Sequence, residues 1–152
     1  MNKESLESRI WRWFGNWFPA YRGSGAKVTY VSSNFQDVCI KLPCNWKTKN
    51  HMGITWGGSL YAALDPIYGV MLYKILERQY KVIDSQASIC FLKPSKGTLY
   101  AHFQITDDEL LTLKKQLTHN NKARMCLEVR LTNKQGVVHV VCEKHIHIRN
   151  SI

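Results

Sequence analysis

Near the start of the chain, Leu6, Ile10, Trp13, Phe14 and Trp17 follow at intervals of 4, 3, 1 and 3 residues. That spacing is the apolar stripe of an amphipathic helix over residues 4–18, and Pro19 with Gly23 and Gly25 ends it. From Lys27 to Pro43 the period changes to two. Val28 and Tyr30, then Val38, Ile40 and Leu42, alternate with polar neighbours around Ser32-Ser33-Asn34, which predicts an antiparallel hairpin. Residues 59–76, SLYAALDPIYGVMLYKIL, are apolar on nearly every side. Asp65, Pro66 and Lys74 argue against a membrane span, so the segment is predicted to be one long helix buried within a domain, entered through Gly57-Gly58. Alternation returns over 82–94 and 98–105. Asp107-Asp108-Glu109 place acids where a helix start favours them, opening a short helix to Leu117. Strands over 123–132 and 137–148 then meet at the turn Asn133-Lys134-Gln135-Gly136. The order β-β-α-β-β-(α)-β-β predicts an α+β fold with one apolar helix against a mainly antiparallel sheet.

The 152 residues make a single domain, 1–152, whose first 24 residues form the aromatic helix and its loop. A hydrophobic share of 45% excludes a disordered chain, because burying that much apolar surface offsets the entropy of ordering it. The net charge of +10 is scattered, its longest pure run being Lys114-Lys115, without zinc-finger spacing or a basic helix. That pattern speaks against nucleic acid and suits a phosphate-bearing small molecule or an anionic surface. Five dispersed cysteines with no C-x-x-C pair, and an N-terminus containing acids, predict a reduced cytoplasmic setting. Cys142 with His145 and His147 lacks a second ligand pair at zinc spacing and is better taken as part of a half-exposed strand, so neither metal nor cofactor is expected.

Asp65 stands out because it interrupts the most apolar segment, where a carboxylate is costly unless hydrogen-bonded, paired or functionally placed. Tyr61 and Tyr68 lie within reach along a helix as hydroxyl partners, with Pro66 marking a kink. Upstream, Asn50-His51-Met52-Gly53-Ile54-Thr55-Trp56-Gly57-Gly58, with Asp65 seven residues after the second glycine, resembles the hotdog-fold thioesterase signature N-x-x-G-x-x-H-G-G-x-x-x-x-x-x-D. Gly57-Gly58-Ser59 and Asp65-Pro66 bring it nearer to a subgroup of thioesterases found alone or fused behind bacterial acetyltransferases. Asn16 to Gly25 and Ile83 to Gly97 extend the similarity over nearly the whole chain. The departure is Trp56, where better-studied members carry histidine. His51 lies outside the motif position and is taken as a loop histidine.

The resemblance implies a hotdog fold and hydrolysis of an acyl-CoA or acyl-carrier-protein thioester. The carbonyl would lie at the N-terminus of the central helix, with Gly58 the main oxyanion donor and Gly57, Trp56 and Ser59 beside it. Asp65 would be general base or nucleophile and Asn50 would orient water or the carbonyl. Asp84, with Ser85 next to it, occupies the place of a further polar catalytic residue, its role open. Lys93 and Lys96 are the expected contacts of the CoA phosphates. The site would be shared between subunits of a dimer or a dimer of dimers. The aromatic N-terminal helix would cover the acyl site, touch a membrane surface, or simply pack on the body; Glu4 and Glu7 dilute its positive charge and favour the last. A non-catalytic acyl-CoA or lipid binder is the main alternative. An enoyl hydratase or dehydratase is the remoter one, since the motif lacks the histidine such enzymes need.

Overall fold

Hydrogen-bonded caps define where the first and last helices begin. In the computed structural model, which describes residues 3–77 and 79–150, Ser5 and Ser8 exchange backbone and side-chain hydrogen bonds at the start of α1 (Leu6–Trp17). Thr106 and Glu109 do the same at the start of α5 (Asp107–Asn120). Between them lie α2 (Pro19–Gly23), β1 (Lys27–Val31), β2 (Asp37–Leu42), α3 (Gly57–Leu64), α4 (Ile67–Ile75), β3 (Tyr80–Phe91) and β4 (Leu99–Gln104). The chain ends in β5 (Lys122–Thr132) and β6 (Val138–Asn150). The predicted turn at 133–136 joins β5 to β6, with Asn133 N–H donating to the Val137 carbonyl and Gly136 at a φ of 79°.

The strands form one antiparallel sheet in the order β1-β2-β4-β5-β6-β3. Its inner face carries Ile40, Leu42, Leu99, Phe103, Leu131, Val140 and Ile148, all essentially without solvent contact. The apolar segment lies against that face, as a hotdog fold requires. It is two consecutive helices rather than one: α3 ends at Leu64, Asp65 and Pro66 form a turn, and α4 resumes at Ile67. Proline has no N–H to continue the ladder, so the break falls where the sequence places it. Leu64, Met71 and Leu72 are fully buried, and Tyr68 packs edge-on against Phe103 at 5.0 Å. Leu110, Leu113 and Leu117 seat α5 on the body.

The two edges of the sheet differ. At β1 the Asn16 side chain accepts from Val28 N–H (2.8 Å) and donates to the Val28 carbonyl (2.9 Å), while Glu4 accepts from Val31 N–H (3.0 Å). Helix α1 therefore closes that edge with polar side chains. It packs on the body, as expected, but not through its stripe: Ser8 is fully buried, Trp11 packs on the core, and Leu6, Ile10, Trp13, Phe14 and Trp17 point outward. At the opposite edge β3 is open and solvent-exposed over residues 83–88. Among the described residues no helix is long and apolar enough to cross a membrane.

Candidate active site

The alternation of β6 puts Val140, Cys142, Lys144, Ile146 and Ile148 on the inner face, so a lysine points into the core. Lys144 has no solvent exposure. Its ammonium donates to Asp65 Oδ1 at 2.6 Å and pairs with Asp84 Oδ2 at 2.6 Å. Asp65 comes from the α3–α4 break and Asp84 from β3, immediately before the irregular register between Asp84 and Gln86. Such a bulge re-aims side chains beside it. Ser85, in the bulge, donates its hydroxyl to the His145 carbonyl at 3.0 Å. The Tyr61 ring lies 5.4 Å from the Lys144 nitrogen, and its hydroxyl is hydrogen-bonded to Asp65. Tyr68, the other tyrosine considered for that role, instead donates to the Glu128 carbonyl.

Burial works to raise the Asp65 pKa, but the hydrogen bonds from Lys144 and Tyr61 outweigh it and hold the carboxyl below its ordinary 3.8. Lys144 shows the converse. Burial opposes its charge, yet the bonds to Asp65 and Asp84 keep the ammonium above its usual value. The Tyr61 phenol is raised by burial and by the Asp65 bond. At neutral pH Asp65 is thus an ionised, partly accessible carboxylate beside the Lys144 ammonium, unable to serve as an acid.

The N-terminus of α3 is built from the glycines. Trp56 is the N-cap and supplies no side-chain hydrogen bond to the first turn. Its indole folds back over Gly58, where an added Cβ would come within 2.5 Å of the ring. Sequence reasoning assigned the space at Gly58 to the substrate carbonyl; the side-chain space there is filled by Trp56. At Gly57 a Cβ would meet the Phe91 ring at 3.4 Å. Ser59 is buried at the next position. Asn50 shapes its own loop, accepting from Met52 N–H (3.0 Å) and Ile54 N–H (3.3 Å), and Trp56 N–H donates to the Thr48 carbonyl. His51 is exposed.

Two concavities flank this machinery. An apolar cavity of about 660 Å³ runs between α1, β1 and α4, lined among others by Phe14, Phe18, Val28, Val38, Pro66 and Met71. Pro66, the residue after Asp65, lines it, while the Asp65 side chain faces Lys144 and Tyr61. A polar cleft of about 420 Å³ is lined by Ser95, Lys96, Thr98, Lys134, Gln135 and His139. It adjoins the α3 entrance, because Thr55 N–H donates to the Ser95 carbonyl at 2.8 Å. His139 Nδ1 faces the Lys93 and Pro94 carbonyls at 3.2 and 3.1 Å, so it carries the proton. His139 Nε2 is buried without a partner. The two lysines taken from the sequence separate: Lys96 lines the cleft, whereas Lys93 meets it through its backbone, its N–H bonded to the His139 carbonyl and its carbonyl facing His139 Nδ1.

The Cys142, His145 and His147 grouping comes apart, since Cys142 is buried on the inner face while His145 points outward beside Cys126 and Glu143. Ligand atoms of Cys126, Glu143 and His145 lie within 4.8 Å of one another, the one set among the described residues with metal-ligand proximity. Burial and Glu143 push the Cys126 thiol up, away from the thiolate a metal needs.

Sequence reasoning missed Lys144, Lys134 and His139. The signal for Lys144 was its parity with Val140, Cys142 and Ile146, and that for Lys134 its place in the hairpin turn. His139 depended on a backbone contact from residues 93–94 that no local pattern contains.

Comparison with known proteins places this arrangement. The model of a domain of unknown function, DUF4442, matches residues 7–148. A solved Pseudomonas aeruginosa structure, of a protein of unknown function described as a probable thioesterase, superposes with a TM-score of 0.84 at 21% identity, covering 97% of this chain and 98% of that one. A Chlorobaculum tepidum protein of unknown function gives 0.78 at 16% identity, covering 95% of each chain. A thioesterase from Haemophilus influenzae gives 0.71 at 12%, covering 97% of this chain and 94% of its own. No curated protein matches the chain.

Proposed function

The chain is a member of the DUF4442 family with a hotdog fold, and from that premise we propose that it hydrolyses acyl thioesters, with Asp65 as the attacking carboxylate. The observation that carries this reading is the ion-paired, partly accessible Asp65 at the α3–α4 break, next in the chain to Pro66, which lines an apolar cavity of a size for an acyl chain. A carboxylate held below its usual pKa is a poor general base at neutral pH but is fully ionised as a nucleophile. Its oxygen attacks the thioester carbonyl, the carbon–sulfur bond breaks and the thiolate leaves with a proton from solvent. Water then attacks the aspartyl carbon of the mixed anhydride, which releases the free acid and leaves the water oxygen in the restored Asp65 carboxylate. Lys144 and Asp84 act as positioning residues that keep the carboxylate charged and aimed.

Gly58 lies seven residues before Asp65, about 10 Å away along a helix axis. One protomer therefore cannot hold a carbonyl on its own Gly58 N–H and attack it with its own Asp65. A second copy meeting the open β3 edge supplies the complementary half, and Asp84 stands on that edge. Lys96 and Lys134, with His139, suit the CoA phosphates.

The test is thiol release from acyl-CoA thioesters of graded chain length. Asp65→Asn should lower kcat by about a hundredfold or more; unchanged turnover overturns the mechanism. Single-turnover hydrolysis in heavy-oxygen water should label Asp65 if it is the nucleophile. Lys96→Ala with Lys134→Ala should raise KM for acyl-CoA but not for a short thiol ester lacking phosphates. A second reading, binding without turnover, is favoured by the Trp56 indole over Gly58 and by the ammonium bound to Asp65. It predicts stoichiometric acyl-CoA retention with no thiol released.

A further inference from the structure

Helix α1 is inside out for a helix that merely packs on a sheet. Its body-facing side has one aromatic, Trp11, which packs on the core beneath the Lys74 ammonium, and is otherwise small or polar: Ser8 is fully buried, Asn16 and, just before the helix, Glu4 hold the β1 edge, and a Cβ added at Gly15 would already touch the Val28 side chain at 4.0 Å. Its outer side carries Leu6, Ile10, Trp13, Phe14 and Trp17, continued by Phe18, each between 47% and 74% exposed. An exposed face of this size on one helix is unusual for a soluble surface and marks a docking site. Trp13 packs on Phe14 at 5.3 Å and on Trp17 at 5.9 Å, so the aromatics form one continuous plate.

Charge selects the occupant. Lys3, Arg9 and Arg22 are exposed at or beside the plate, and the Arg22 guanidinium lies 5.9 Å from the Trp17 ring centre. The acids that diluted the basic face in sequence are engaged: Glu4 binds Arg12 and Val31 N–H, and Glu7 binds Lys74. Tryptophan and phenylalanine flanked by arginine and lysine are the composition of a helix lying in the headgroup layer of an anionic bilayer. A second copy of this chain would bring its own positive charge to the same face, in a molecule already at +10. The apolar cavity opens on this side too, since Ile10, Phe14 and Phe18 contribute to both the plate and the cavity lining.

We infer that α1 is an interfacial helix that docks the protein on an anionic lipid bilayer, with the mouth of the apolar cavity facing the membrane. The docking stands on the helix alone; that the cavity then receives an acyl group from the bilayer rests on the hydrolase reading.

The experiment is flotation of the full chain with phosphatidylcholine vesicles and with phosphatidylcholine–phosphatidylglycerol vesicles, at low and high salt. The chain should float with the anionic vesicles and less so in high salt. Trp13→Gln with Trp17→Gln, neither of which lines the cavity, should weaken binding by about tenfold or more without changing the far-ultraviolet spectrum or the unfolding temperature. Arg9→Gln with Arg22→Gln should weaken binding to anionic vesicles and leave it salt-insensitive. Absence of flotation, or equal flotation by the tryptophan variant, overturns the inference. So does a self-association that buries this face and disappears in that variant while no vesicle is bound. Flotation needs no turnover, so its failure is separate from the failure of Asp65→Asn to slow hydrolysis.

Discussion

Lys144 shows how one buried charge can organise two partly solvated ones. Removing a fully buried ion-pair partner typically costs about 3–5 kcal/mol, but Asp65 and Asp84 keep 44% and 31% of their side chains in solvent, which softens the repulsion between them. Lys144→Met should therefore cost about 2 kcal/mol at neutral pH by denaturant unfolding. The sign of the pH dependence follows from the shifts. Asp65 is lowered, so its contribution is present above its ordinary 3.8 and is lost as pH falls through its lower folded value. Lys144 is raised, so its contribution is present below its ordinary 10.5 and is lost as pH rises through its higher folded value. Wild-type stability should hold a plateau between those limits. The Lys144→Met deficit should shrink in acid, as the burial that Lys144 no longer offsets lets Asp65 take up a proton. At Gly58, alanine should swing the exposed Trp56 indole aside rather than unfold the helix, costing under about 1 kcal/mol. The change should be visible as a shift in tryptophan emission that Trp56→Ala abolishes.

At the scale of elements, the α1–β1 seam and the α2–β1 joint carry the clearest expectations. Asn16 satisfies both backbone groups of Val28 on an edge strand, so Asn16→Ala should cost about 2 kcal/mol and increase aggregation through the freed edge, measurable by light scattering. Gly25 sits at a φ of 82°, and a Cβ there would lie 2.2 Å from the Thr48 side chain, itself buried. Gly25→Ala should thus lose about 2–4 kcal/mol in chemical denaturation. The break between α3 and α4 belongs at this scale as well. Pro66 interrupts the ladder and so lets an otherwise apolar segment present Asp65 to the buried Lys144.

Whole-molecule behaviour turns on the unequal edges of the sheet. With β1 closed by α1 and β3 open, the proposed mechanism requires association through β3, which would bring Gly58 of one copy to Asp65 of the other. Coexpressed Asp65→Asn and Gly58→Val chains, each inactive alone, should then recover about a quarter of wild-type thiol release, since half the dimers are mixed and each mixed dimer keeps one intact site. No recovery would show that the site is not divided between copies.

Much of this was already written in the order of residues. Periodicity placed the six sheet-forming stretches, the hairpin turn at 133–136 and the apolar central segment, because side-chain alternation and turn chemistry are local. The glycine pair and Asp65 were recognisable for the same reason: a motif is a set of fixed spacings. What only the tertiary structure decided is which groups meet across the sheet. Lys144 reaches Asp65 from 79 positions away and Asp84 from the neighbouring strand, so the ionisation of the central carboxylate depends on strand register. The direction of α1 was likewise undecidable from its stripe. An amphipathic pattern reports that two faces differ, whereas β1's need for hydrogen-bond partners determined that the polar face turned inward and the aromatic face remained outside.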